Sequence, residues 1–180
     1  MNKLILLTLF SLFSICCCAQ TSLKANILYW SFGITNISAE TKLSNKLTLN
    51  SELVYSPWKS IKGNHFEFLQ ISPEVRFFTK EAFNGFYVGG YGSFQAFDIT
   101  KWNYWNKNKH QKGRGFSLGV SVGYEYKINN KLGMDVYAGG GWQNSQYRGY
   151  NTKTGEKYVG WNGSGEWLPY KVGIAIFYKL

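Results

Sequence analysis

Apolar and polar residues alternate with a period of two along most of the chain beyond residue 22. The alternation is clearest over residues 47–55, 69–77, 116–128 and 170–180. Successive side chains of a β-strand point to opposite faces, so this pattern predicts strands with one apolar and one polar face. No segment of this region shows a convincing period of 3.6, which argues against a helical fold.

The alternation and the polar turn residues between its runs predict eight strands. They cover residues 23–31, 34–43, 47–55, 65–78, 85–97, 114–128, 132–147 and 169–180. Short polar connections follow the even strands, and longer loops at 56–64, 98–113 and 148–168 follow the later odd strands. This asymmetry is typical of bacterial outer-membrane barrels. The sequence therefore predicts an all-β fold, an eight-stranded antiparallel up-and-down transmembrane β-barrel.

Charged residues fall on the polar face well inside the predicted strands. We expect five of them to form an ion-pair network that fills the lumen: Glu52, Glu74, Arg76, Glu125 and Lys127. Alternation alone does not say which face lies inside, so a soluble periplasmic barrel that binds an apolar ligand is an alternative. Aromatic residues near the strand ends favour the membrane barrel, because they form girdles at both membrane interfaces.

The first nineteen residues have the order of a secretory signal. A basic start at Lys3 precedes an apolar stretch over residues 4–15, and small residues end in Ala19. We expect a signal peptide over residues 1–19, a mature barrel domain over 20–180, and a final location in the cell outer membrane. All three cysteines lie at positions 16–18, so the mature chain would have no thiol. Acylation of one of these cysteines, as in a lipoprotein, is the alternative.

Composition and charge refine the expected partners. The chain has 180 residues, 44% hydrophobic and 18% aromatic, which fits one folded domain and excludes disorder. The formal net charge is +10, and basic residues interleave with tryptophans around the loop at 98–113. We expect these residues to contact lipid headgroups or other anions at the outer leaflet: Lys101, Trp102, Trp105, Lys107, Lys109, Lys112 and Arg114. A solvated loop is the alternative, and the predicted export argues against nucleic acid as a partner.

Candidates for catalysis are few. His65 and Glu67 share a strand face, and Ser60 lies in the adjacent predicted loop. Nucleophilic catalysis requires a hydroxyl within hydrogen-bond reach of an oriented base, and nothing in this spacing requires that contact. We therefore expect no enzymatic activity, catalytic residue or cofactor, with an outer-leaflet lipid-modifying enzyme as the alternative. Two separated histidines, His65 and His110, without a cysteine predict no metal site.

The last predicted strand resembles the C-terminal signal by which the barrel assembly machinery recognises outer-membrane barrels. Lys171, Gly173, Ile176 and Tyr178 follow the order polar-x-Gly-x-x-apolar-x-apolar. Many such barrels end on an aromatic residue here, whereas this chain continues to Leu180. The resemblance implies that the assembly machinery is a partner.

Several segments resemble a family of uncharacterised exported proteins from Bacteroidetes-type bacteria, known only as a domain of unknown function. The segments are residues 26–30, 55–58, 72–78, 84–89 and 119–126. The resemblance implies a small outer-membrane barrel, and family members sometimes accompany surface-fimbria genes. It implies no activity and transfers no catalytic residue. We expect a non-enzymatic protein that acts through its outside loops in surface interaction, with a surface or fimbrial partner, or in envelope integrity.

Overall fold

A computed structural model of the chain describes residues 20–101 and 107–180. Eight antiparallel strands pair in chain order and close into a barrel, which confirms the predicted all-β, eight-stranded, up-and-down fold. The strands are β1 (Thr21–Asn26), β2 (Thr35–Lys42), β3 (Leu47–Ile61), β4 (Asn64–Phe78), β5 (Gly85–Ile99), β6 (Lys109–Lys127), β7 (Leu132–Asn151) and β8 (Lys157–Lys179). One short helix, α1 (Ile27–Ser31), connects β1 to β2. No helix in the described part of the chain is long and apolar enough to cross a membrane.

The predicted signal peptide over residues 1–19 lies outside the described residues, and so do Trp102 and Trp105. The connections after β2, β4 and β6 are short and define the turn end of the barrel. The connections after β1, β3, β5 and β7 define the loop end.

The two faces of each strand have opposite chemistry, and the polar face lies inside. On β6, Val120 is 65% exposed, whereas its neighbour Ser121 is 1% exposed. The same alternation runs around the barrel, so that aliphatic and aromatic side chains cover the outer surface and charged side chains are buried in the lumen. This arrangement is the reverse of a soluble barrel, which places apolar residues inside.

The strands are longer at the loop end than the sequence predicts. The predicted loop at 56–64 continues the ladder between β3 and β4 to the pair Ile61↔Asn64, and its turn is only Lys62-Gly63. Within the predicted loops at 98–113 and 148–168, residues 98–99 and 109–113 likewise extend β5 and β6, and residues 148–151 and 157–168 extend β7 and β8. These segments do not alternate between apolar and polar residues. They still form strands, because backbone hydrogen bonds hold neighbouring strands together whether or not one face is apolar. Loss of the pattern therefore marked the end of the apolar surface and not the end of the strands.

The prediction of the first strand over residues 23–31 is wrong for residues 27–31, which form helix α1. The strand ends at Asn26, whose side-chain oxygen accepts hydrogen bonds from the backbone N–H groups of Leu28 and Tyr29 at 3.1 and 3.4 Å. This N-cap starts α1 and satisfies amides that a continuing strand would have paired. As a result β1 has 6 residues, while β8, its neighbour in the barrel, has 23.

Candidate functional site: the lumen and the loop-end rim

Arg76 lies at the centre of a buried charge cluster in the turn-end half of the lumen. Its Nε donates to Glu74 at 2.7 Å, and its Nη1 donates to Asp135 at 2.8 Å. The same Nη1 lies 3.1 Å from Glu40 and 3.2 Å from Glu125. One guanidinium thus bridges carboxylates from β2, β4, β6 and β7.

Two lysines complete the cluster from the strands that close the barrel. Lys24 on β1 lies 2.5 Å from both Glu40 and Glu125, and 2.9 Å from Asp135. Lys171 on β8 lies 2.9 Å from Glu74. Because desolvated charges require partners, these contacts tie distant strands to each other.

Tyrosines and small residues enclose the cluster. Tyr87 donates to Asp135 at 3.1 Å, and its ring lies 4.5 Å from the Arg76 guanidinium carbon. Tyr137 donates to Glu52 at 3.0 Å. A Cβ added at Gly123 would lie 2.5 Å from Tyr87, so glycine there leaves room for the ring. The turn-end half of the lumen is therefore filled with side chains.

The structure brings four of the five predicted network residues into this cluster. Glu52 belongs to it through Lys171 at 3.5 Å, together with Glu74, Arg76 and Glu125. The prediction for Lys127 is wrong. Its ammonium pairs with Glu81 in a turn at the barrel edge, where the side chains are 31% and 58% exposed. Lys127 is at the last position of β6, where its long side chain reaches past the lumen.

Sequence reasoning left four members out of the network: Lys24, Glu40, Asp135 and Lys171. Each lies on the polar face of its strand, so the alternation of apolar and polar residues already indicated that its side chain faces the lumen. Their mutual contacts depend on the stagger of strands that lie far apart in sequence. Lys24 and Asp135, for example, are 111 positions apart. The alternation shows which face a residue lies on, but it does not give the stagger between strands.

A cavity of about 420 Å³ occupies the loop-end half of the lumen above this cluster. Its floor includes Glu52 and Lys171, and its rim includes Lys101 and Glu166, which form an ion pair. The wall between floor and rim is mostly apolar, with Tyr29, Ile34, Val54, Phe66, Phe97 and Leu168 among its residues. We call this space the lumen cavity, and its volume falls in the usual range of about 300–1,000 Å³ for ligand sites.

The two histidines meet on the outside of the loop-end rim. His65 Nδ1 lies 3.0 Å from Asp98 Oδ1, and His110 Nε2 lies 3.6 Å from the same oxygen. The rings stack with centroids 4.1 Å apart, and His110 Nδ1 lies 3.1 Å from Thr152 Oγ1. Burial lowers the pKa of His110, and His65 and Lys112 lower it further, while the Asp98 carboxylate opposes them. The side chain is therefore mostly neutral near pH 7.

Among the described residues, two groups of side chains have the residue types of a metal site. Glu40, Glu125 and Asp135 already have Lys24 and Arg76 between them, so protein cations occupy that place. In the second group, the rings of His65 and His110 are nearly parallel at 10°, so their nitrogen lone pairs do not converge on one point. A cation would bind both only after one ring turned.

His65 and Asp98 also have the geometry of a base and its orienting carboxylate. Sequence reasoning paired His65 with Glu67 instead, because it compared neighbours on one strand. Among the contacts of the described residues, no serine or threonine hydroxyl bonds to the His65 ring.

The predicted anion-contact residues separate into different surroundings. Lys101 pairs with Glu166 at the rim of the lumen cavity, and the Lys109 ammonium lies 4.6 Å from the Tyr158 ring. Lys107, Lys112 and Arg114 are exposed. Lys112 and Arg114 continue the outward face of β6 beyond Phe116, at the loop end of its apolar surface.

Comparison with known proteins identifies the family. The model of a family described as "Protein of unknown function (DUF3575)" matches residues 3–180. This chain belongs to the DUF3575 family. The match confirms the resemblance to an uncharacterised family that the sequence segments indicated. No curated protein matches this DUF3575 chain significantly.

Proposed function

We propose that this protein is an integral outer-membrane barrel that acts at the cell surface without enzymatic activity. The observation that carries the proposal is the apolar outer surface around a charged, buried lumen. Monomeric soluble proteins rarely expose apolar patches larger than a few hundred Å². An apolar surface around the whole barrel therefore supports a lipid environment.

The height of the apolar surface fits a bilayer. On β6 it runs from Phe116 to Tyr126, which is 11 residues in sequence. A tilted strand needs about 9–11 residues to cross a membrane. Aromatic side chains stand at both ends of this segment, as they do in membrane barrels. Exposed Arg114 lies just beyond it, where a cation would meet lipid headgroups.

The extensions of β6, β7 and β8 would project from the membrane as a small sheet. This projecting sheet presents Trp161, which is 61% exposed. The Arg148 guanidinium lies 4.3 Å from the Trp161 ring. Exposed tryptophan and arginine are the residues that most often dominate binding surfaces. We propose that this sheet is the contact surface for a surface or fimbrial partner.

Two further features support this role over transport. The charge cluster and its tyrosines fill the turn-end half of the lumen, which leaves no wide passage for solutes. In β8, Gly173 and Lys171 face inward while Ile176 and Tyr178 face outward, as a strand read by the assembly machinery would require. An envelope-stabilising role through lipid contacts of Lys112 and Arg114 fits the same geometry.

A lipid-modifying enzyme is a second candidate, favoured by the contact between His65 and Asp98 at the rim. The assay is acyl release or transfer from outer-leaflet lipid. Activity that disappears in His65→Ala and persists in Glu67→Gln, a substitution on the same face of β4, would establish it over the non-enzymatic proposal.

The test of the main proposal is membrane fractionation combined with gel mobility. We expect the protein in the outer-membrane fraction, and we expect unboiled samples to migrate faster than boiled ones. Recovery in the soluble periplasmic fraction, with no change of mobility on boiling, would contradict the proposal and favour the soluble ligand-binding barrel.

A further inference from the structure

The barrel wall is interrupted between β3 and β8 in its loop-end half. β1 pairs with β8 only as far as Asn26↔Ala175, and β2 pairs with β3 only from Thr35↔Tyr55. Within the described residues, β8 before Ala175 therefore has no strand partner on its β1 side. β3 beyond Tyr55 has none on its β2 side. Helix α1 and the turn after it lie in this interruption.

An apolar cleft of about 540 Å³ occupies the interruption. We call it the side cleft, and its lining includes Leu28, Phe32, Ile34, Trp58, Ile61 and Val172. Val172 is exposed on the outer face of β8, so the cleft is continuous with the apolar surface of the barrel.

The side cleft and the lumen cavity share part of their walls. Tyr29, Ile34 and Phe66 line both spaces. The two spaces therefore adjoin at these three side chains. Elsewhere the wall consists of hydrogen-bonded strands, which side-chain rotation does not open.

Trp58 narrows the side cleft from the β3 side. Its indole N–H donates to the Phe32 carbonyl at 3.0 Å, across the interruption. Gly33, with φ +66°, lies against the indole, and a Cβ there would come within 2.7 Å of the ring. The contact depends on one side-chain hydrogen bond and on a turn that favours glycine.

We propose that one acyl chain of a membrane phospholipid passes through the side cleft beside Trp58 and occupies the lumen cavity. The inference rests on the proposed membrane placement, because only then does lipid surround the cleft. An acyl chain fits because the side cleft is lined almost wholly by apolar residues and the wall of the lumen cavity is mostly apolar, with Gln70, Gln95 and Gln143 as polar members. The ion-paired floor at Glu52 and Lys171 would stop the chain end, since desolvating those charges is unfavourable.

The test measures lipid retained by the full-length protein reconstituted in dioleoylphosphatidylcholine vesicles. After extraction into mild detergent, native mass spectrometry counts the phospholipids that each barrel keeps. We expect one retained phospholipid. A barrel that keeps none, while it floats with vesicles and is heat-modifiable, would overturn this inference and leave the proposed function intact. Failure to associate with vesicles would overturn both.

Two matched variants test the location of the chain. Val54→Trp fills the lumen cavity, because Val54 is buried on its wall. Leu53→Trp adds the same side chain on the outer face of the same strand. We expect the retained lipid to fall about tenfold or more in Val54→Trp and to stay unchanged in Leu53→Trp. If both variants remain heat-modifiable and retain equal amounts of lipid, the acyl chain does not occupy the lumen cavity.

A second pair tests the route. Trp58→Ala should speed the exchange of retained lipid for deuterated lipid in the vesicles, whereas Trp161→Ala on the projecting sheet should not. Palmitate added to the aqueous phase tests whether an acyl chain enters from water instead of from the vesicle lipid. If palmitate loads the barrel, vesicle lipid does not, and Trp58→Ala changes neither rate, the chain arrives through the loop end and the side route is wrong.

Discussion

Arg76 on β4 donates a 2.8 Å hydrogen bond to Asp135 on β7, three strands away around the barrel. The two residues are 59 positions apart in sequence. The contact links opposite parts of the wall through the lumen, where solvent does not screen it. Arg76 and Asp135 therefore contribute to barrel closure in a way that neighbouring-strand ladders do not.

Removal of Arg76 should destabilise the barrel strongly. Arg76→Leu leaves several carboxylates buried without their shared cation, and breaking a buried ion pair in this way costs about 3–5 kcal/mol. Unfolding in urea, measured by tryptophan fluorescence of the protein in lipid vesicles, gives the change in the free energy of unfolding.

Lys127 provides the control for Arg76. It forms an exposed pair with Glu81, so Lys127→Ala should change stability by about 0–1 kcal/mol. If both substitutions had the same small effect, the lumen cluster would not be a stabilising element.

The cost of a charge on the outer face should depend on its depth. Val120→Arg places a charge near the middle of the apolar surface, where it costs about 2–4 kcal/mol in membrane barrels. Phe116→Arg places it on the same face nearer the loop end, where the cost falls to about 0–1 kcal/mol. The measurement is again unfolding in vesicles. Equal effects at the two positions would indicate a surface that faces water.

The protein should not conduct solutes, because side chains such as Arg76, Tyr87 and Phe177 fill the turn-end half of the lumen. Vesicles that contain the protein should swell in small sugars no faster than protein-free vesicles. A general porin reconstituted in parallel provides the positive control. Swelling at a rate near that of the porin would contradict the filled lumen.

The titration of His110 should respond to its two neighbours in opposite directions. Its pKa should lie below the usual value of 6.5 because of burial. Asp98→Asn should lower this pKa further, since the carboxylate stabilises the charged ring. His65→Gln should raise it, since the neighbouring His65 ring lowers the pKa of His110. Nuclear magnetic resonance of the imidazole protons in detergent micelles measures both shifts, and shifts of the same sign would contradict the arrangement.

The alternation was sufficient to predict much of the fold. In β6 it placed Val120 and Ser121 on opposite faces, and the structure agrees. It failed at Asn26, where a local side-chain cap stopped the strand. It also failed beyond Tyr55, where the ladder continues without an apolar face. Both failures have one cause, since hydrophobic periodicity reports which face of a strand is apolar and not where backbone hydrogen bonds form.

The sequence by itself determined the number of strands, their antiparallel order and the chemistry of each face, because these follow from local alternation and turns. Only the tertiary structure decided which charges meet. Lys24 and Lys127 both lie on the polar face of their strands, but only Lys24 joins the cluster. The stagger of the strands sets the height of each side chain in the lumen. The same stagger brings His65 and His110 to one carboxylate. Contacts between distant residues depend on the closure of the whole barrel, which no local pattern encodes.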